Sequence, residues 1–459
     1  DSDAIDNSAG VDCSDHEVNI KILSGAAERA GKLKRPARDA LLASMTDEVS
    51  SHVLRHNYEQ TLALSLLDAT AAADLGAQAR FMADLVAQGR LDRKVETLPG
   101  PAALAELEAA GKGLSRPELA VLLAYGKLEL SHEIVGSAAP EDPFFLETLK
   151  AYFPPELQRF EGEMKRHRLR REIIATVVAN DMVNMAGPTF AGRLRQAADC
   201  DTAALVIAFE AARRTFRLDE MWDEVSALDG KISGKSQLRL YQELSIMLRR
   251  QTYWLARRAV RAGATVEGLI KTYRPTIDLL KAEGLDLLAP FERSGAEGRA
   301  KELVRSGAPK DLALRLAVLR PLTAATDVAD MAGKARWDVL PAARIYQAAG
   351  QLFGFDRVRA AAGELAGGDA YERLAVRRLM EELLTEQAAA TRAVVGFAKG
   401  AAAGADAASA RSAVQTWAAE RKDAAKTAKR TLEDAQAAPG GWSFAKLTIV
   451  NAALRALAG

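Results

Sequence analysis

Residues 6–22, "DNSAGVDCSDHEVNIKI", crowd amide, hydroxyl, thiol, carboxylate and imidazole side chains into one short stretch. Wound as a helix capped by Asn7 or Ser8, it places Asn7, Val11 and Ser14 at i, i+4 and i+7 on one face, with Gly10 allowing close backbone approach. Such a face offers an amide, a small apolar patch and a hydroxyl beside the free N–H groups of a helix start, a combination suited to a polar or anionic ligand. An ordinary capped helix would carry the same residues, and on spacing alone that plainer reading leads.

Other groups invite metal or nucleophile chemistry. Cys13 and His16, three apart, could share a helix face, but two ligands do not close a zinc site and no CxxC or second histidine follows nearby. His52 and His56 form an i, i+4 pair, yet "HVLRH" lacks the glutamate that follows the first histidine in zincins, so partly buried helical histidines are the better reading. No metal site and no catalytic residue is predicted. "GKISGKS" (230–236) resembles a phosphate loop but has Asp229 where glycine is required and no preceding strand, so it reads as a turn. In "RRQTYWLARRAVRAG" (249–263) arginines interleave with Tyr253 and Trp254, a mixture able to stack on bases and equally that of an amphipathic helix whose arginines pair or snorkel. Asn180, Asp181 and Asn184 sit inside an otherwise apolar helix (167–187), where they need hydrogen-bond partners across an interface.

The elements that must position these residues are helices. Alanine, leucine, arginine and glutamate dominate and β-branched runs are sparse. The one strand-like alternation is Val18, Ile20 and Ile22, where helix is still preferred. Thr46 is the expected N-cap of a helix followed by Asp47 and Glu48, and Ser115 with Glu118 has capping-box spacing ahead of the stripe Leu119, Leu122, Leu123 and Gly126. The alanine-rich stretch 398–413 reads as a mobile connector.

With 459 residues the chain can bury a large core, and 62 Lys+Arg against 61 Asp+Glu leave a charge of +1. That balance supplies no general attraction to nucleic acid or an anionic membrane. Two cysteines cannot build a disulfide framework, and a reducing cytoplasm is the expected compartment. Apolar runs fall far short of a membrane span.

"NSAGVDCSDHEVNIK" (7–21) resembles the N-A-G-G-V-x-x-S segment of amino-acid dehydrogenases of the glutamate dehydrogenase class, with Ser8 and Ala9 departing from the commoner Ala and Gly. The longer string "DAIDNSAGVDCSDHEVNIKIL" resembles the version in the large bacterial NAD-specific glutamate dehydrogenases. "GKGLSRPELAVLLAYGKL" (111–128), "YFPPELQRF" (152–160), "HRLRREIIATVVANDMVN" (167–184) and "KLTIVNAALRALA" (446–458) resemble, in order, that family's C-terminal helical region. The resemblance implies an enzyme that oxidatively deaminates L-glutamate to 2-oxoglutarate and ammonia, passing a hydride to NAD. It implies that Asn7 lies near the nicotinamide end of NAD, that Val11 and Ser14 line the substrate pocket, and that the Ser14 hydroxyl binds the distal carboxylate of glutamate. It further implies a cytoplasmic homo-oligomer, with this chain beginning inside the catalytic domain. The catalytic lysine, acid-base aspartate and Gly-rich dinucleotide turn would lie upstream of Asp1, leaving this polypeptide inactive alone.

The expected architecture is therefore all-α, preceded by a short piece of an α/β Rossmann-type catalytic domain. Residues 1–24 would end that domain, and 25–290 and 291–459 would form two parts of the helical region. A non-catalytic helical scaffold or regulatory module binding a protein partner is the rival reading. Nucleic-acid binding through residues 249–261 is a weaker third.

Overall fold

The computed structural model describes residues 8–365 and 370–458. Every regular element among the described residues is helical, as the sequence predicts, and none is a strand. The strand-like alternation lies inside α1 (Ser8–Arg29). Burial explains the outcome. His16, Ile20, Leu23 and Ala27 are buried while Val11 and Val18 are 57% and 50% exposed, a repeat of 3.6 rather than two.

The chain divides into two compact units, one of Asp1–Arg213 with Leu248–Leu269 and the other of Arg214–Met247 with Ile270–Gly459. After α1 come α2 (Arg35–Ser44), α3 (Thr46–Asp68), α4 (Ala71–Ala87), α5 (Pro101–Ala109), α6 (Arg116–Gly136), α7 (Phe145–Tyr152), α8 (Glu161–Lys165), α9 (Arg170–Ala186), α10 (Phe190–Ala198) and α11 (Thr202–Thr215).

The first unit is built on α6 against α9. Glu118 accepts from the Ser115 backbone N–H at 2.7 Å, closing the predicted cap, and Leu119, Leu122, Leu123 and Gly126 are buried. Gly126 permits the close approach: a Cβ there would stand 2.5 Å from Pro188 Cβ and 2.8 Å from its Cα. On α9 the apolar residues from Ile173 to Ala186 other than Val177 are buried, and Asp181 receives Arg213 at 2.5 Å. Arg171 donates to the Val135 and Ser137 carbonyls, both at 2.7 Å, satisfying the end of α6. Helix α3 departs from expectation at its start. Met45 takes the cap position and Thr46 begins the helix, because the Thr46 hydroxyl donates back to Ala43 O at 3.2 Å.

Then follow α12 (Leu218–Ser226), α13 (Gly234–Arg258), α14 (Val266–Glu283), α15 (Pro290–Arg305), α16 (Lys310–Val318), α17 (Ala325–Ala335), α18 (Val339–Phe353), α19 (Phe355–Glu364), α20 (Ala370–Phe397), α21 (Ala407–Glu420), α22 (Lys422–Ala437) and α23 (Phe444–Ala458). In the second unit Phe353, Leu383, Trp417 and Leu454 share one core, with the Trp417 ring edge-on to Phe353 at 6.0 Å. Arg359 on α19 donates to Glu292 at 2.8 Å and to the Gln387 side-chain oxygen, and Gln387 donates onward to Tyr346 O at 2.8 Å. The stretch 398–413 is no loose connector. It holds a 3-10 turn, Ala401–Gly404, where a Cβ on Gly404 would stand 2.2 Å from Pro341 O, and Asp406 caps α21 by accepting from Ala408 and Ser409.

Candidate functional site

The polar inner face of α1 meets α3 and α7. Asp12 and His16 are one turn apart on α1, so both reach the same side, and α3 brings His52 and His56 opposite them by the same spacing. His56 Nδ1 donates to Asp12 Oδ2 at 2.7 Å, and His16 Nε2 lies 3.7 Å from Asp12 Oδ1. The ligand atoms of Asp12, His16 and His56 all fall within 4.8 Å of one another. His52 stands nearby, 5.6 Å from His16 between ring centroids, with its Nε2 3.3 Å from Glu48.

His16 is the most enclosed of these groups. It is fully buried, stacked on the Tyr152 ring at 4.4 Å, and neither ring nitrogen has a hydrogen-bond partner. Burial pushes its pKa down to about 4 against the pull of Asp12, leaving a neutral imidazole at neutral pH. His56 is raised, chiefly by its hydrogen bond to Asp12, with burial opposing. Burial pushes the Asp12 carboxyl up, but the His56 hydrogen bond and the neighbouring imidazoles outweigh it and hold the group below its ordinary value. Lys127 of α6 lies on the same seam. Its burial lowers it to about 8, resisted by Glu59, Asp181 and Asp12.

A second set of contacts fixes α1 from below. Asn19 Nδ2 donates to Tyr152 Oη at 2.8 Å, and its backbone carbonyl accepts from His167 Nε2 at 3.1 Å. Since His167 Nδ1 accepts the Leu169 N–H at 3.2 Å, this histidine is the neutral Nε2–H tautomer, and burial lowers its pKa.

Of the residues singled out from sequence, Val11 and Ser14 are exposed on the outer face of α1, opposite His16, Ile20 and Leu23. Asn7 lies outside the described residues. Neither histidine pairing weighed from sequence forms the cluster: Cys13 is exposed, and Asp12 with His16 and His56 assembles instead. The available signal was two i, i+4 pairs, 12/16 and 52/56; that α1 and α3 would oppose them is a tertiary fact. Around 249–263, Trp254 is buried with Arg258 over its ring at 5.8 Å, so that ring is occupied rather than offered to a base.

Comparison with known proteins places the chain. A family model described as glutamate dehydrogenase, C-terminal, matches residues 111–456, and one for the bacterial NAD-glutamate dehydrogenase catalytic domain matches residues 1–67. The chain belongs to the glutamate dehydrogenase family, most of it to the helical C-terminal class. More particularly, it is 35% identical over 397 residues to the NAD-specific glutamate dehydrogenase of Halomonas elongata, covering 86% of this chain and 24% of the relative. The corresponding proteins of Pseudomonas aeruginosa and Mycobacterium tuberculosis are 38% identical over 334 residues (71% of this chain, 21% of theirs) and 33% over 383 (83% and 23%). The chain thus spans about a quarter of the length of the curated relatives it matches. Among the described residues, no helix is long and apolar enough to cross a membrane.

Proposed function

We propose that this chain works as part of an NAD-dependent glutamate dehydrogenase that oxidatively deaminates L-glutamate to 2-oxoglutarate and ammonia. The observation that carries the proposal is the match of residues 1–67 to the catalytic-domain family model, which takes in the whole of α1. On this reading Val11 and Ser14 face the substrate, and the Ser14 hydroxyl donates to the distal carboxylate of glutamate. Their shared exposure on the outer side of α1 supports it. NAD, when bound, accepts the hydride; of the residues assigned to it by resemblance, only Asn7 falls in this chain.

The helical remainder braces the catalytic domain and contacts neighbouring subunits of a cytoplasmic homo-oligomer. Two unpaired cysteines suit a reducing compartment. The proposal includes a division near residues 24 and 290; limited proteolysis near 290 would support the second, whereas the first falls inside α1, where Ser24 is buried and no cut is expected.

The test is Ser14→Ala in the complete enzyme. Losing a charge-assisted hydrogen bond of ~1.5–3 kcal/mol should raise KM for glutamate about ten- to a hundredfold while KM for NAD stays put. Unchanged glutamate kinetics would remove Ser14 from the pocket. The 459-residue chain alone should form no NADH from glutamate, and activity above that of its own Ser14→Ala variant would overturn the division of labour.

A further inference from the structure

We propose that Asp12, His16 and His56 form a binding site for one divalent d-block cation, of which zinc is the best fit, clasping α1 to α3. Two imidazoles and one carboxylate make a mixed nitrogen and oxygen donor set that suits zinc and its neighbours, whereas calcium and magnesium seek oxygen donors throughout. Three protein ligands leave a fourth position for water.

The geometry is close to what such an ion needs. Tetrahedral bonds of about 2.0–2.1 Å put ligand atoms roughly 3.3 Å apart. Here His56 Nδ1 lies 2.7 Å from Asp12 Oδ2 and His16 Nε2 lies 3.7 Å from the other carboxylate oxygen, Oδ1, with one donor atom from each of the three residues falling within 4.8 Å of the others. Small side-chain rotations open the first and close the second, and the ion replaces the proton that Asp12 and His56 share.

The independent observation is His16. A fully buried imidazole with both nitrogens unsatisfied is costly, because a desolvated polar group without a partner typically loses ~1–3 kcal/mol. Tyr152 stacks on its face and holds the ring plane, so an in-plane ligand to its Nε2 is the partner that this pocket lacks. The site is separate from the outer face that carries Val11 and Ser14. Its effect on them would be positional, fixing α1 on the helical body.

The experiment uses the untagged 459-residue chain. After dialysis against zinc and desalting, metal analysis should find one equivalent, and cobalt should bind with visible d–d absorption typical of a four-coordinate site. Asp12→Asn and His56→Ala should each weaken binding about a hundredfold or more, exceeding the 10–100-fold typical of lost outer-shell partners. Cys13→Ala, and His132→Ala at an exposed position of α6, should leave it unchanged. Asp12→Asn is nearly isosteric, so it keeps the test informative should a histidine variant fail to fold. Absence of stoichiometric binding, or binding indifferent to Asp12→Asn and His56→Ala, or binding lost with Cys13 or His132, would each overturn the site. None of these readouts depends on dehydrogenase activity.

Discussion

The amide of Asn19 donates to the hydroxyl of Tyr152 at 2.8 Å across 133 residues of sequence, and the same tyrosine ring stacks on His16. One side chain therefore supports both the polar face of α1 and its attachment to α7. Tyr152→Phe keeps the stacking surface and leaves the Asn19 amide without its acceptor. The expected loss is about 1–3 kcal/mol, read as a lower urea midpoint for the first unit by circular dichroism. An unchanged midpoint would mean that water replaces the hydroxyl.

Gly126 and Gly192 make a matched comparison. A methyl at Gly126 meets Pro188 backbone at 2.8 Å, which a flexible side chain cannot relieve, so Gly126→Ala should cost about 1–3 kcal/mol by pushing α6 away from the turn between α9 and α10. At Gly192, inside α10, nothing lies within 4 Å, and Gly192→Ala should stabilise by about 0.4–1 kcal/mol. Equal effects of the two substitutions would contradict the packing described.

His167 supplies a pH dependence. Its folded pKa lies below the ordinary value of 6.5, because burial outweighs the Asn19 carbonyl; Arg168 pushes it further down, Glu172 pushes it up, and the Phe153 ring lies 5.6 Å away. Below about pH 6.5 the unfolded chain binds the proton that the folded one refuses, so stability falls as pH drops towards the folded pKa. His16 acts in the same direction, so the useful readout is a difference. His167→Gln, which can still donate to Asn19 O, should lose less Tm than the parent between pH 7 and 5. Parallel Tm curves would exclude His167 from the linkage.

In the second unit, Arg359 is the counter-charge of Glu292, each 13% exposed. Arg359→Met fills similar volume and strands that carboxylate, together with the Gln387 oxygen. Breaking a buried pair on one side typically costs ~3–5 kcal/mol, and restoring neutrality with Glu292→Gln should recover part of it. A double-variant cycle on urea unfolding measures the coupling, and a coupling near zero would show the two groups to be independent.

Local signals in the sequence located much of this structure. Ser115 and Glu118 are three apart and the cap forms, because a capping box needs nothing beyond its own turn. The buried stripe on α6 follows from its helical spacing and the burial of α9 from its nearly continuous apolar run. Thr46 misled because a cap needs its oxygen to accept from the first turn, whereas here Thr46 is itself helical and its hydroxyl donates back to Ala43 O. Residues 398–413 misled because small residues serve tight packing as well as they serve mobility, and Gly404 is pressed against Pro341. The His16 cluster was hidden for a different reason. Its members lie on two helices 44 residues apart, and only packing selects Asp12 rather than Cys13 as the partner.

The anchoring of α1 also sets an order of events during synthesis. Its contact with His56 spans 44 residues, whereas those with Tyr152 and His167 span 133 and 148. At ~5–20 residues per second, α1 waits roughly 6 to 25 s after its own translation before Tyr152 is made. Through that interval the inner side of α1 lacks the Tyr152 and His167 contacts that hold Asn19. Meanwhile the nascent helix is held by its near neighbours in sequence, α2, whose Arg38 donates to Ser24 Oγ at 3.3 Å, and α3.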